Sequence, residues 1–319
     1  MNIFLQIILL IIGFVMLWKG SDLFVDGAVT TAKTLHISPI VIGLTIVAMG
    51  TSFPELAVSA DSAIKGNSDI AFGNVVGSNI LNILLILGLS AVISNLKVQN
   101  STIYVEIPVM LGATLALLFM VYNGVIDRPE ALILLLMFFT YMVYIFVRAK
   151  SEKADYELVK EESEIPELTG SKKKMIVLMI FGLTLVILGA ELSVRSACKL
   201  AAFAGISERI IAVTIVALGT SLPELFTSVT AARKGEDDIA IGNIVGSNIF
   251  NALLILGVSG MIIPIRVPIT SFIDTIFAFG AGVVLYVAIS ITVRNQLTRA
   301  GGITLLVLYA GYLAYTFLF

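Results

Sequence analysis

The sequence predicts an all-α, polytopic membrane protein: ten transmembrane helices in two inverted five-helix repeats, with the second and seventh helices broken. Three observations predict it. The 319 residues are 58% hydrophobic and only 13% charged, with a mean hydropathy of +1.02, whereas soluble domains carry about 25% charged residues. A long segment recurs at a fixed offset of 169 residues. Each copy of that segment sets a proline and a glutamate inside a stretch otherwise apolar enough to cross a bilayer.

The spans fall at roughly 2–31, 38–64, 70–94, 102–122, 130–148, 174–202, 207–233, 239–262, 270–292 and 300–318. Each is near the ~20 residues a hydrocarbon core requires, and the longest need tilt or a break. The opening Met1-Asn2-Ile3-Phe4 has no basic region ahead of its long apolar run, so it reads as a first span and not as a cleavable leader. Pro108 predicts a kink in the fourth span. After the fifth comes the one hydrophilic stretch, which mixes Glu157, Lys160, Glu161, Glu162 and Glu164 with Lys172 and Lys173. It is short for a folded domain and reads as a solvated linker. The expected division is therefore a first transmembrane half at 1–148, a linker at 149–173 and a second half at 174–319.

The repeat is dense. Ser38–Ser90 against Ser207–Ser259 gives 33 identities in 53 positions without a gap. Gly50-Thr51-Ser52-Phe53-Pro54-Glu55 returns as Gly219-Thr220-Ser221-Leu222-Pro223-Glu224. The block from Gly73 to Asn82, Gly-Asn-Val-Val-Gly-Ser-Asn-Ile-Leu-Asn, returns from Gly242 to Asn251 as Gly-Asn-Ile-Val-Gly-Ser-Asn-Ile-Phe-Asn. Five spans is an odd number, so a repeated five-span unit enters the membrane from the opposite side. Inverted repeats with matched broken helices mark midplane sites of secondary transporters. With both termini outside, the inner loops hold 13 Lys and Arg residues and the outer loops five. The positive-inside rule therefore favours extracellular termini and a cytoplasmic linker.

An ionisable side chain at membrane depth costs roughly 2.5–3.5 kcal/mol on insertion scales and marks a functional site by default. Proline removes a backbone hydrogen bond, tolerated at that depth only against protein or a wet cavity. Beside each proline stand Glu55 and Glu224, the hydroxyls of Thr51, Ser52, Thr220 and Ser221, and the carbonyls of Ala48, Thr51, Ala217 and Thr220. Ser78 and Asn82, four apart, share one face of the third span, and Ser247 and Asn251 share one of the eighth. All are oxygen ligands. Calcium takes 6 to 8 of them, two carboxylates neutralise one Ca²⁺, and the same set with more neutral oxygens suits Na⁺. The glycines Gly73, Gly77, Gly242 and Gly246 read as packing residues for close helix approach.

Other charges carry less. Asp22 and Glu191 are equivalent and read as interfacial, whereas Asp26 aligns with Arg195. Asp69 and Asp238 read as helix N-caps, Lys19 as snorkelling or pairing with Asp22, and His36 as structural at a short turn. Cys198 is the single cysteine and His36 the single histidine, which excludes an internal disulfide and any multi-histidine or cysteine-cluster centre.

The two blocks resemble the alpha repeats of sodium/calcium exchangers, of the prokaryotic type within the cation/calcium antiporter superfamily, and the resemblance covers essentially the whole chain. It implies alternating access, with three Na⁺ entering per Ca²⁺ extruded. It implies four ion positions in a diamond: calcium held by Glu55, Glu224 and the Thr51 and Thr220 carbonyls. Sodium would lie at Ala48, Ser52 and Ser78 on one side and at Ala217, Ser221 and Ser247 on the other, with Asn82 and Asn251 lining the middle. It also implies that the first and sixth spans slide over a rigid core of eight. Potassium-dependent relatives carry Asp where this chain has Asn251, which argues against potassium co-transport.

The expected function is thus a Na⁺/Ca²⁺ antiporter of the plasma membrane, monomeric, with no cofactor beyond its transported ions. A Ca²⁺/H⁺ antiporter using the same glutamates is the competing reading. A channel would not need duplicated broken helices. Neither a catalytic constellation nor a phosphate-binding loop such as Gly-x-x-x-x-Gly-Lys-Ser/Thr is present, so an enzyme, a nucleotide-driven pump and a nucleic-acid partner are all disfavoured.

Overall fold

A computed structural model of the chain describes residues 3–162, 172–206, 217–292 and 295–318. It is built almost wholly of helices: α1 (Ile3–Leu35), α2 (Pro39–Thr51), α3 (Phe53–Ile64), α4 (Ser68–Ile93), α5 (Thr102–Asn123), α6 (Arg128–Glu162), α7 (Lys172–Phe203), α8 (Ala217–Thr220), α9 (Leu222–Lys234), α10 (Asp237–Ile262), α11 (Ile269–Ser290) and α12 (Arg299–Leu318). Among the described residues, α1, α4, α5, α6, α7, α10 and α11 are long and apolar enough to cross a membrane. The pair α2 and α3 makes an eighth span if its 46° bend is read as one broken crossing. The early part of the expected seventh span, 207–216, lies outside the described residues; α8 and α9 are its remainder. α12, 20 residues long, occupies the place of the expected tenth.

The break in the second span falls at Ser52, where ψ is 7°, with Pro54 in the first turn of α3. Ser221 repeats it with ψ 6° ahead of Pro223. Proline suits a helix's first turn, where its missing N–H has no partner to lose. The sequence pattern did not predict four π-turns: Gly43–Val47, Asn82–Leu87, Thr102–Glu106 and Asn251–Ile255. The third lies just before Pro108 and is the local form of the expected kink. Single π-turns inside α-helices concentrate at functional sites, and two of these begin on the asparagines of the repeated block.

Several expectations are corrected. α6 runs on to Glu162, so the first part of the expected linker continues the fifth span as helix; residues 163–171 lie outside the described residues. Asp69 and Asp238 are not N-caps: that position belongs to Asn67 and Glu236, and the aspartates sit in the first turn, where they complement the helix dipole. The all-α reading missed two short antiparallel ribbons. β1 (Leu96–Lys97) pairs with β4 (Gln296–Leu297), and β2 (Val125–Ile126) with β3 (Ile265–Arg266). Each ties a loop of the first half to one of the second.

α1 and α7 form the longest helix pair, and glycines set their approach. A Cβ at Gly182 would stand 2.6 Å from the Phe24 nitrogen, and one at Gly13 would stand 2.9 Å from the Gly189 carbonyl oxygen. Gly20, Gly27 and Gly189 are as tight. Gly13 meets Gly189, Gly20 meets Gly182 and Gly27 meets Met179, so the two helices run antiparallel. α2 crosses α10 at Gly43, Gly242 and Gly246, where a Cβ would come within 2.7–3.0 Å of the neighbouring helix. That agrees with the packing role expected for the last two. Gly73 and Gly77 have no such neighbour among the described residues.

Candidate functional site

The two prolines start α3 and α9 deep in the protein and set Glu55 and Glu224 in their first turns. Both carboxylates are buried, at 1% and 0% exposure. Each is reached from the opposite half. The Ser221 hydroxyl donates to Glu55 Oε1 at 3.1 Å, and the Ser52 hydroxyl donates to Glu224 Oε1 at 2.9 Å. The second oxygen of each, Oε2, is buried without a hydrogen-bond partner. A buried carboxylate oxygen with no donor is costly, and either a cation or a proton relieves it.

Asn82 and Asn251 open their π-turns beside the carboxylates, and a four-asparagine knot orients them. Asn82 Nδ2 donates to Asn248 Oδ1 at 3.0 Å, and Asn251 Nδ2 donates to Asn79 Oδ1 at 3.0 Å. Asn79 and Asn248 each donate to the other's backbone carbonyl, at 3.3 and 3.2 Å. The amide nitrogens are thereby consumed, and the amide oxygens of Asn82 and Asn251 are left buried and unpaired. Four orphaned oxygens, two charged and two neutral, are the donor set a hard cation takes. Among the described residues no third His, Cys, Asp or Glu joins a metal-binding group with these two glutamates.

The remaining candidates gather around them. Ser221 also donates to Ser78 Oγ at 3.2 Å, and Ser247 donates to the Ala48 carbonyl at 3.5 Å. Thr51 donates to Asn243 Oδ1 at 2.9 Å, while the Thr220 hydroxyl is buried without a partner. Ala48 is fully buried at the start of the last turn of α2. Ala217 begins α8, and its backbone is described.

Sequence reasoning missed four positions. Asn79 and Asn248, quoted only as part of the repeated block, are the donors and acceptors that aim Asn82 and Asn251. Asn74 and Asn243 brace the glutamates: each donates to the carbonyl of its own half's Glu at 3.4 Å, and to Ser59 or Ser228 at 3.0 or 2.9 Å. The available signal was that every asparagine in the block recurs at the same offset. Groups that orient metal ligands typically tune affinity by 10–100-fold. Asn79→Leu and Asn248→Leu are therefore expected to weaken cation binding by about that factor while both glutamates stay in place, as calorimetry on purified protein would read.

The similarity to known proteins concerns the chain as a whole. The family model described as sodium/calcium exchanger protein matches residues 5–147 and again 174–318. The putative antiporter CaxA of Alkalimonas amylolytica is 38% identical over 317 residues, 96% of each chain. The sodium/calcium exchanger MaX1 of Methanosarcina acetivorans is 34% identical over 97% of this chain and 98% of its own. A solved structure of the sodium-calcium exchanger NCX_Mj, soaked with Na⁺ and Sr²⁺, superposes with a TM-score of 0.86 at 32% identity, covering 98% of this chain and 99% of that one. With both halves matched and relatives 34% and 38% identical over nearly their full length, this chain belongs to the sodium/calcium exchanger family.

Proposed function

We propose that the protein is a secondary-active antiporter that exchanges Na⁺ for Ca²⁺, three to one and electrogenically, by alternating access to a central oxygen-lined site. The observation that carries this reading is the set of four buried, unpartnered oxygens contributed equally by the two halves: Oε2 of Glu55 and of Glu224, and Oδ1 of Asn82 and of Asn251. Two carboxylates match the charge of one Ca²⁺. The carbonyls of Thr51 and Thr220 would join the glutamates on calcium, and sodium ions would spread over the neutral oxygens of Ala48, Ser52 and Ser78 on one side and of Ala217, Ser221 and Ser247 on the other, with Asn82 and Asn251 lining the middle. These twelve residues are the proposed ion-binding set.

Inverted repeats of five spans each, at 1–148 and 174–319, are supported by paired hydrogen bonds at one 169-residue offset and by the antiparallel packing of α1 on α7. The ribbons support it too. An inverted arrangement puts β1 and β4 on one face and β2 and β3 on the other, the pairs in which they bond. The positive-inside count then puts β1 and β4 on the cytoplasmic face of the plasma membrane and both termini outside. A monomer suffices, because both halves of the site come from one chain. The glycine-set pair of α1 and α7 fits two helices that slide as a unit over the rest.

The test is uptake of radiolabelled calcium into sodium-loaded vesicles. Uptake is expected to need the outward sodium gradient, to survive collapse of any pH gradient and to respond to membrane potential. Uptake indifferent to sodium but driven by pH would replace this reading with Ca²⁺/H⁺ antiport at the same glutamates.

A further inference from the structure

The two ends of the broken helices are not treated alike. At the end of α9, Lys234 reaches across to α1, donating to Asp26 Oδ1 at 2.8 Å and to the Asp22 carbonyl at 2.9 Å, with the Asp22 carboxylate at 3.4 Å. Arg233 lies over the Trp18 ring, 5.6 Å from its centre. Phe226 of α9 meets Phe14 of α1 at 6.1 Å. On this side the broken helix is clamped to the long one.

The repeat carries the same positions to the other side. Lys65 is the equivalent of Lys234, and Glu191 is the equivalent of Asp22. Here they do not meet. Lys65 pairs with Asp61 on its own helix at 2.6 Å, and Glu191 pairs with Arg195 on its own. α3 shows no packing on α7 comparable to that of α9 on α1. Phe53 is 59% exposed and Ile64 72%. The substitutions that separate the two sides are readable. Asp61 stands where the other half has Thr230, and Arg195 where it has Asp26, so each outer partner has a local competitor that its inner equivalent lacks.

We propose that Lys234 with Asp22 and Asp26 is an ionic latch closing the inner face, and that Lys65 with Glu191 is its latent outer counterpart, the two forming in alternation as the site changes sides. Asp61 and Arg195 weaken the outer latch by holding its partners apart. They bias the chain towards the arrangement with the inner face shut. The proposal rests on the alternating-access reading above. Partly exposed ion pairs are individually modest, and a two-state equilibrium is where a modest bias is visible.

The experiment uses the full chain in vesicles, with Cys198→Ser as background. One variant carries Lys234→Cys with Asp26→Cys, the other Lys65→Cys with Glu191→Cys, and each is treated with a short thiol crosslinker under sodium, calcium and ion-free conditions. The two yields are expected to move in opposite directions. In the inner-pair variant, adding Lys65→Gln should raise the crosslinking rate by about two- to fivefold, the weight of one such pair. In wild type, Asp61→Asn with Arg195→Gln should slow inward opening's reversal by a similar factor. An outer pair that never crosslinks, yields that rise and fall together, or a Lys65→Gln rate equal to its parent overturns the latch. Crosslinking reads conformation without flux. Opposed yields with no sodium-driven uptake would sink the antiport reading alone, and sodium-driven uptake with concerted yields would sink the latch alone.

Discussion

Glu55→Gln and Glu224→Gln are each expected to abolish sodium-driven calcium uptake. The substitution keeps the size of the side chain and removes one of the two charges facing the proposed ion. It also replaces an orphaned carboxylate oxygen by an amide that presents either one neutral oxygen or a donor of the wrong sign. Stripping one partner from a buried, charge-balanced group costs roughly 3–5 kcal/mol, which at 1.4 kcal/mol per tenfold is about a hundred- to several-thousand-fold in affinity. The fold should not suffer. In the absence of ions two buried carboxylates destabilise each other, so Gln at either position should leave thermal stability in ion-free detergent equal or higher. Adding calcium should raise the melting temperature of the parent protein and not that of the variants. Normal exchange by both variants would remove the site assignment.

Gly182→Val is expected to have the largest effect on stability outside the site. Its Cβ would stand 2.6 Å from the Phe24 nitrogen and 2.9 Å from the Gly20 carbonyl oxygen, both backbone atoms of the facing helix. Neither can swing away, so α1 and α7 must separate along a seam that small residues keep tight. Overpacking of this kind typically costs 1–3 kcal/mol. In the same comparison Gly112→Ala, where nothing lies within 4 Å, should leave stability within about 0.5 kcal/mol of the parent. Thermal unfolding followed in detergent checks both. Equal losses at the two positions would show that the seam does not set the cost.

Much of this was legible in the chain itself. The proline-glutamate pairs located the helix breaks, because proline has few tolerable places in a membrane helix, and the fixed offset announced that the two glutamates belong together. Ser52 and Ser221 were read as neighbours of their own glutamates, yet each bonds the glutamate of the opposite half. Which half a short side chain reaches depends on how closely α2 crosses α10, a tertiary fact that no local pattern encodes. The π-turns at Asn82 and Asn251 were hidden for a related reason. A π-turn inserts one residue into a helix whose composition is unchanged, so the apolar periodicity reads straight through it. For Asp22 the sequence offers Lys19, which snorkels or pairs with it, and nothing in the local pattern offers Lys234. Proximity along one helix suggested that pairing, whereas the observed partner comes from 212 residues away.

The two ribbons have a consequence for how such a chain can come apart. Each joins a loop from one half to a loop from the other, and the two pairings are the same heterotypic contact made twice. That is the closed, two-fold arrangement of a symmetric dimer. The asparagine knot and the seam between α1 and α7 are likewise contacts between halves, made without the linker. The covalent connection between α6 and α7 then supplies effective concentration. Two polypeptides ending and beginning there would keep each of these described contacts.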